Sequence, residues 1–173
     1  MDEAKFITLD NCLTILIYTD RSKSTNHMEL FTFYGGNYSS YIDYNGKKRN
    51  IKEGSAHLLE HYVCENTVSG DLLDNLRKYN VLSCNAGTSA FNTSYFFNTV
   101  CNFYECLDTF LDGIYNVSFT NEKLNKTKYA VLNEIRDSQN NEGRRIADIR
   151  DRTLFSNCMD NLGSEDSINS ITV

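Results

Sequence analysis

The sequence predicts an α+β domain in which helices pack on one face of a mostly antiparallel sheet. Strand-like and helix-like segments alternate in groups: strands, helices, strands, helices. The strand-like segments are short and rich in aromatic and β-branched residues. The helix-like segments repeat apolar residues with a period of 3.6. A chain of 173 residues is long enough for one domain with a hydrophobic core and too short for two.

The predicted strands fall into two groups, three near the amino terminus and two near the middle of the chain. They lie over residues 6–9, 13–18, 27–34, 81–86 and 93–100. The first two should form a hairpin, because the polar pair Asp10-Asn11 between them is typical of a tight turn. We expect residues 37–50 to form a polar loop, and residues 87–92 to form a turn.

The predicted helices follow each group of strands. They lie over residues 51–65 and 71–79, after Asn102, after Thr120 and over residues 144–155.

Two of these helices have more detailed predictions. The helix after Asn102 should start with a capping box, because Asn102 and Glu105 have the required spacing. Its apolar positions are Tyr104, Leu107, Leu111, Ile114 and Tyr115. The helix after Thr120 carries Leu124, Val131 and Ile135 on one face, and Gly143 interrupts the pattern before it resumes.

Charge, hydropathy and cysteine content indicate which binding partners and which cellular compartment to expect. The net charge of −6 disfavours binding to nucleic acid or to a membrane surface. No apolar run approaches the ~20 residues that span a bilayer. The amino terminus lacks the features of a signal peptide, and the six cysteines contain no CxxC pair. We therefore expect a cytoplasmic protein with reduced thiols, organised as one domain over residues 1–156 and a polar tail over residues 157–173.

The helix predicted over residues 51–65 divides into two faces. His57, Glu60, His61 and Cys64 share one arc of the helical wheel. The opposite arc consists of apolar side chains, namely Leu58, Leu59, Tyr62 and Val63.

The residues on the polar arc predict a metal site. Two imidazoles one helical turn apart can bind one Zn²⁺ at ~2.0–2.1 Å each. Glu60, just before the second histidine, can accept a proton from a zinc-bound water, and His-x-x-Glu-His is the inverted zincin motif. A catalytic site also needs a third protein ligand. The alternative is an amphipathic helix whose polar face carries two histidines by chance.

Five segments resemble segments of the pitrilysin/insulinase family of zinc metallopeptidases, and they follow one another in the same order as in the family. They begin at Leu9 (LDNCLTIL), Gly54 (GSAHLLEH), Asn85 (NAGTSAFNTSY), Ala130 (AVLNEI) and Leu162 (LGSEDSINSIT). The resemblance covers nearly the whole chain. It implies a truncated domain of this family, because further strands of the family's sheet would follow the last segment.

The resemblance also implies roles for individual residues. Glu134 would be the third zinc ligand. Residues 85–90, with Asn85 and Ala86 at their start, would form an edge strand that binds the substrate backbone. Without the resemblance, the favoured interpretation of Glu134 is an ordinary solvated helix glutamate, and that of Asn85 and Ala86 is an ordinary hairpin strand. Where the family usually has a second glutamate, seven residues before the ligand, this sequence has Thr127.

The implied function is a zinc-dependent endopeptidase with one Zn²⁺ per chain, acting on short or unfolded peptides. Leader-peptide processing is a role that the family suggests. We expect another copy of the chain, or a second peptidase-like chain, to complete the fold. One alternative is a non-catalytic subunit that binds peptide or serves in assembly. Another is a purely structural zinc site that uses Cys64 as a fourth ligand.

Overall fold

The chain forms seven strands and six helices within residues 3–155 and 160–172, the ranges that this computed structural model describes. The strands are β1 (Glu3–Thr8), β2 (Thr14–Thr19), β3 (Asn26–Thr32), β4 (Ser40–Ile42), β5 (Lys48–Asn50), β6 (Ser83–Thr88) and β7 (Thr93–Thr99). The helices are α1 (Ser55–Glu65), α2 (Leu72–Arg77), α3 (Phe103–Tyr115), α4 (Asn121–Gln139), α5 (Glu142–Leu154) and α6 (Glu165–Ser170). None of the helices in these ranges is long and apolar enough to cross a membrane.

The main sheet is antiparallel and has the order β3-β7-β6. The central strand β7 alternates between buried and half-buried residues, as expected for a strand with one face toward the core. Its Tyr95 is paired with Leu30 on one side and with Ala86 on the other. The expected α+β class and the predicted strands of this sheet are confirmed. The predicted hairpin β1–β2 is also present, as a separate two-stranded sheet.

Two apolar clusters form the core. The first joins the main sheet to α1, α2 and α3, with the buried residues Val63, Cys64, Leu72, Leu76, Tyr95, Phe97, Cys106 and Phe110. The second joins α1 to α4 and to the segment around α6, with Leu58, Tyr62, Leu124, Val131, Ile135, Leu162 and Ile168. Helix α1 contributes to both clusters, so it is enclosed on two sides.

The expected capping box of α3 is wrong. Asn102 adopts a left-handed backbone conformation with φ of 55°, and its side chain makes no capping hydrogen bond. The Asn102 amide instead lies 3.5 Å from the carbonyl of Tyr79, to which it donates. Tertiary contact with the end of α2 therefore replaces the local cap.

The buried face of α3 overlaps the predicted one but is centred differently. Of the predicted positions, Leu107, Leu111 and Ile114 are half-buried against the first cluster, as expected, whereas Tyr104 and Tyr115 are 77% and 66% exposed. The fully buried positions are Cys106, Phe110 and Gly113. A Cβ atom at Gly113 would lie 2.6 Å from Cδ1 of Leu72. Helix α3 therefore packs closely on α2 at Gly113, where it has no side chain. The pattern of apolar residues alone does not predict this contact.

The polar loop predicted over residues 37–50 contains a small hairpin, β4–β5. Asp43 stabilises its turn, because the side chain accepts hydrogen bonds from the backbone of Asn45 and Lys47. The same carboxylate accepts from Nε of Arg49 at 2.8 Å. The prediction failed because these strands have three residues each and are held by polar contacts rather than by apolar alternation.

The carboxyl-terminal part differs from prediction in two details. The break before α5 lies at Asn141, whose side chain accepts from the backbone of Arg144, and Gly143 lies inside the first turn. The stretch set apart above as a polar tail includes α6, with Leu162 and Ile168 buried in the second cluster. The five described cysteines are free thiols, and Cys158 lies outside the described residues.

Candidate metal centre

Helix α1 supplies three of the predicted site residues. The helix begins after Gly54, which has a left-handed backbone with φ of 77°. Because α1 is enclosed on two sides, its predicted polar arc does not face open solvent. His57 and Glu60 are each 8% exposed, and His61 is half-buried.

Glu134 completes a triangle of donor atoms with the two histidines. Nε2 of His57 lies 3.2 Å from Nε2 of His61, and Oε2 of Glu134 lies 3.4 Å from each of them. A tetrahedral zinc ion with bonds of ~2.05 Å has ligand atoms about 3.3 Å apart. The three side chains therefore have the chemistry and the spacing of a zinc site.

Helix α4 positions Glu134 through the second apolar cluster. Val131 and Ile135, on either side of Glu134, are buried against residues of α1. This packing places the carboxylate over the histidines. Sequence periodicity located the helix correctly but could not determine its neighbour.

Cys64 shares the arc of α1 but not the triangle. Among the described residues, the only group of three or more His, Cys, Asp or Glu residues with ligand atoms within 4.8 Å of one another is His57, His61 and Glu134. Cys64 is buried in the first apolar cluster, and burial raises the pKa of its thiol well above its usual range. This environment does not favour Cys64 as a metal ligand.

The pKa values of the two histidines are shifted in opposite directions in the metal-free protein. Burial, aided by the neighbouring His61, lowers the pKa of His57 to about 4. The hydrogen bond with Glu134 raises the pKa of His61, and the same bond lowers the pKa of Glu134. The site thus favours a neutral His57 beside a hydrogen-bonded pair formed by His61 and Glu134.

Glu60 lies beside the triangle and is held by a different element. Its Oε2 accepts a hydrogen bond of 2.9 Å from Oγ1 of Thr88, at the end of β6. Burial raises the pKa of Glu60, and the bond from Thr88 opposes this effect. A buried carboxylate next to a metal site, free of the metal-binding triangle, suits a general base. The implied edge strand over residues 85–90 includes Thr88, but sequence reasoning gave this residue no role.

A cleft of about 320 Å³ connects these groups. It is lined by the triangle and Glu60, and also by the predicted substrate residues Asn85 and Ala86. Both belong to β6, which lies at the edge of the main sheet within residues 3–155 and 160–172. Arg144 of α5 also lines the cleft, with Nη1 at 4.0 Å from Oε1 of Glu134. No motif indicated Arg144, because its position depends on the turn between α4 and α5.

Comparisons with known proteins give this geometry a family context. The sequence profile of the family described as Insulinase (Peptidase family M16) matches residues 47–164. A relative from Bacillus subtilis (strain 168), described as uncharacterized zinc protease YmfH, is 26% identical over 140 residues, which cover 80% of this chain and 32% of that protein.

Two solved structures share the fold. An M16-like peptidase from Alicyclobacillus acidocaldarius has a TM-score of 0.89 and 23% identity, covering 99% of this chain and 40% of that one. A peptidase M16 inactive domain from Pseudomonas fluorescens has a TM-score of 0.77 and 13% identity, covering 99% of this chain and 41% of that one. The chain thus spans less than half the length of each of these three proteins.

Proposed function

This chain belongs to the insulinase family, peptidase family M16, and from that premise we propose that it is a zinc-dependent endopeptidase acting on short or unfolded peptides. One observation carries the proposal. The donor atoms of His57, His61 and Glu134 lie 3.2–3.4 Å apart, beside a buried carboxylate that is not one of them. The name of the related zinc protease from Bacillus subtilis supports the choice of metal.

Three protein ligands are the number that catalytic zinc sites use, with a fourth position kept for water. When bound, zinc lowers the pKa of that water toward ~7 and polarises the scissile carbonyl. His57, His61 and Glu134 would hold one ion per chain.

Glu60 would move the proton. Its carboxylate accepts the proton of the attacking water and later returns it to the nitrogen of the leaving amine. Burial raises the proton affinity of Glu60, which helps it to keep the proton between these steps. Thr88 fixes one carboxylate oxygen, so the other is free to face the water.

The edge strand β6 would bind the substrate backbone. Asn85 and Ala86 line the same cleft as the catalytic groups, on a strand that pairs only with β7 among the described residues. An extended peptide could add to this edge as a further strand. Backbone pairing makes little demand on side chains, which suits an enzyme for varied unfolded segments, leader peptides included.

A second chain would complete the enclosure around the substrate. The chain covers 40% of the Alicyclobacillus peptidase and 32% of the Bacillus zinc protease. We propose that a further peptidase-like unit faces this cleft, either in another copy of the chain or in a second peptidase-like chain.

Replacing Glu60 with Gln tests the mechanism. We expect the E60Q protein to keep about one zinc per chain and to lose hydrolysis by about 10²–10⁴-fold. Hydrolysis is measured with a mixture of fluorogenic peptides, on protein purified with the chains that accompany it. Glu105→Gln, an exposed position in the first turn of α3, is the matched control. Wild-type rates for E60Q would refute the role of Glu60.

A non-catalytic peptide-binding or assembly subunit is the second candidate. It is favoured by the shared fold with the Pseudomonas protein described as an inactive domain. Elemental analysis separates the two candidates, because the enzyme should carry about one zinc per chain. A protein that binds peptides, but does not bind zinc and does not cleave the peptides, would establish the second candidate instead.

A further inference from the structure

Two linked hydrogen bonds hold a carboxylate, that of Glu65, near the Nδ1 side of the His61 ring. Oε1 of Glu65, one turn further along α1, lies 3.8 Å from Nδ1 of His61. The other oxygen of Glu65 accepts a hydrogen bond of 3.0 Å from Oγ1 of Thr127 on α4. Thr127 in turn accepts one of 3.1 Å from the side-chain amide of Asn66.

The direction of these linked hydrogen bonds is fixed by their first donor. The same amide nitrogen of Asn66 donates to the backbone carbonyl of Tyr62 at 3.1 Å, and a carbonyl can only accept. The Asn66 nitrogen is therefore a donor to Thr127 as well. The single hydroxyl proton of Thr127 is left for Glu65. Asn66 is 5% exposed and Thr127 is fully buried, so neither side chain has room to turn away.

The two histidines differ in whether a carboxylate lies near Nδ1 of the ring. When Nε2 of a histidine binds a metal, its Nδ1 carries a proton and needs an acceptor. Nδ1 of His57 is buried without a hydrogen-bond partner among the described residues. The His57 side chain is 10% exposed and is held by packing, whereas that of His61 is 28% exposed. His61 is therefore the ligand that an outer carboxylate can orient.

We propose that Glu65, held by Thr127 and Asn66, is a positioning residue that orients His61 for metal binding. A carboxylate behind a ligating imidazole fixes the ring and its tautomer and increases the basicity of the ligating nitrogen. This proposal rests on the zinc site proposed above. It assigns to three residues outside the metal-binding triangle a role in the strength of metal binding.

The test is the zinc dissociation constant, measured by competition with a chelator. We expect Glu65→Ala to weaken zinc binding by about 10–100-fold. The zinc-free protein should stay folded, and its unfolding temperature should fall only because the buried hydroxyl of Thr127 loses its acceptor. Glu122→Ala, at an exposed position in the first turn of α4, is the control and should bind zinc like the wild type.

Each outcome of this experiment has one meaning. Wild-type zinc affinity in E65A overturns the role of Glu65. A zinc-free E65A protein that is unfolded at the assay temperature also overturns it, since Glu65 would then be structural. If the wild type itself binds no zinc, the proposed function fails and not this inference alone.

Thr127 gives an independent test that keeps the protein's shape. Thr127→Val removes the hydroxyl and should weaken zinc binding, whereas Thr127→Ser keeps the hydroxyl and should restore most of the affinity. In the double variant E65A/T127V the second change should add nothing, because Thr127 acts through Glu65. Additive losses, or equal losses in the Val and Ser variants, would overturn the proposed chain of contacts.

Discussion

His57 and His61 lie one turn apart on the same helix but experience different surroundings. His57 is deeply buried, and this lowers its pKa to about 4. His61 is bonded to Glu134, and this raises its pKa above that of an ordinary histidine. The unequal pair follows from the position of α4, which brings the carboxylate to the less buried ring.

This difference predicts how zinc binding depends on pH. Between about pH 5 and pH 6, below the ordinary histidine pKa of ~6.5, His61 carries a proton and His57 does not. Zinc must then displace one proton, so its affinity should rise about tenfold per pH unit in this range. Chelator competition at several pH values measures the slope. A hundredfold rise per unit, the result for two protonated histidines, would contradict the assigned pKa shifts.

At the scale of elements, α1 depends on a close contact at its start. Gly54 has a φ of 77°, and a Cβ atom there would lie 2.4 Å from the carbonyl oxygen of Leu162 and 2.8 Å from Cδ1 of Ile168. The segment around α6 is therefore packed directly on the turn that leads into α1. The sequence motif GSAH includes this glycine, but glycine is needed there because of its contacts in the tertiary structure.

We predict that Gly54→Ala destabilises the protein more than Gly46→Ala does. Gly46 has nearly the same φ, 75°, with nothing within 4 Å, so its substitution costs only the left-handed backbone, about 1–2 kcal/mol. The contact at Gly54 should add about 1–3 kcal/mol. Urea denaturation of the two variants measures the difference. Equal losses of unfolding free energy would show that the segment around Leu162 moves away freely.

At the scale of the whole molecule, the sheet is divided. The hairpin β1–β2 pairs with no other strand of the described chain. Phe6 and Leu16 are paired across it and are 71% and 57% exposed, and the neighbouring Tyr18 is 61% exposed. Exposed apolar strands of this kind favour association with another chain.

We therefore predict that the purified chain is not a stable monomer at micromolar concentration, with sedimentation velocity as the measurement. The double variant F6K/L16K should shift the protein toward the monomer, because two charges on this face oppose its burial. Tyr44→Lys is the control, since Tyr44 is 97% exposed in the β4–β5 turn. A wild-type monomer, or an equal effect of the control, would count against this face.

The sequence by itself determined the order of the elements, the class of the fold and the arc shared by His57, Glu60 and His61. These features are local, because strand alternation, helical period and the 100° step per residue act between near neighbours. The resemblance to the insulinase family, which the family profile confirms, added Glu134 as the predicted third ligand.

Only the tertiary structure decided which distant groups meet that arc. The packing of α4 on α1 brings Glu134 to the histidines and Thr127 to Glu65. The end of β6 brings Thr88 to Glu60. These contacts join residues that are far apart in the sequence, and no local pattern indicates that they meet. Burial of the two apolar clusters brings their helices and strands together. The His-x-x-Glu-His motif is thus a local property of the sequence, whereas its proposed third ligand and its supporting hydrogen bonds are properties of the folded core.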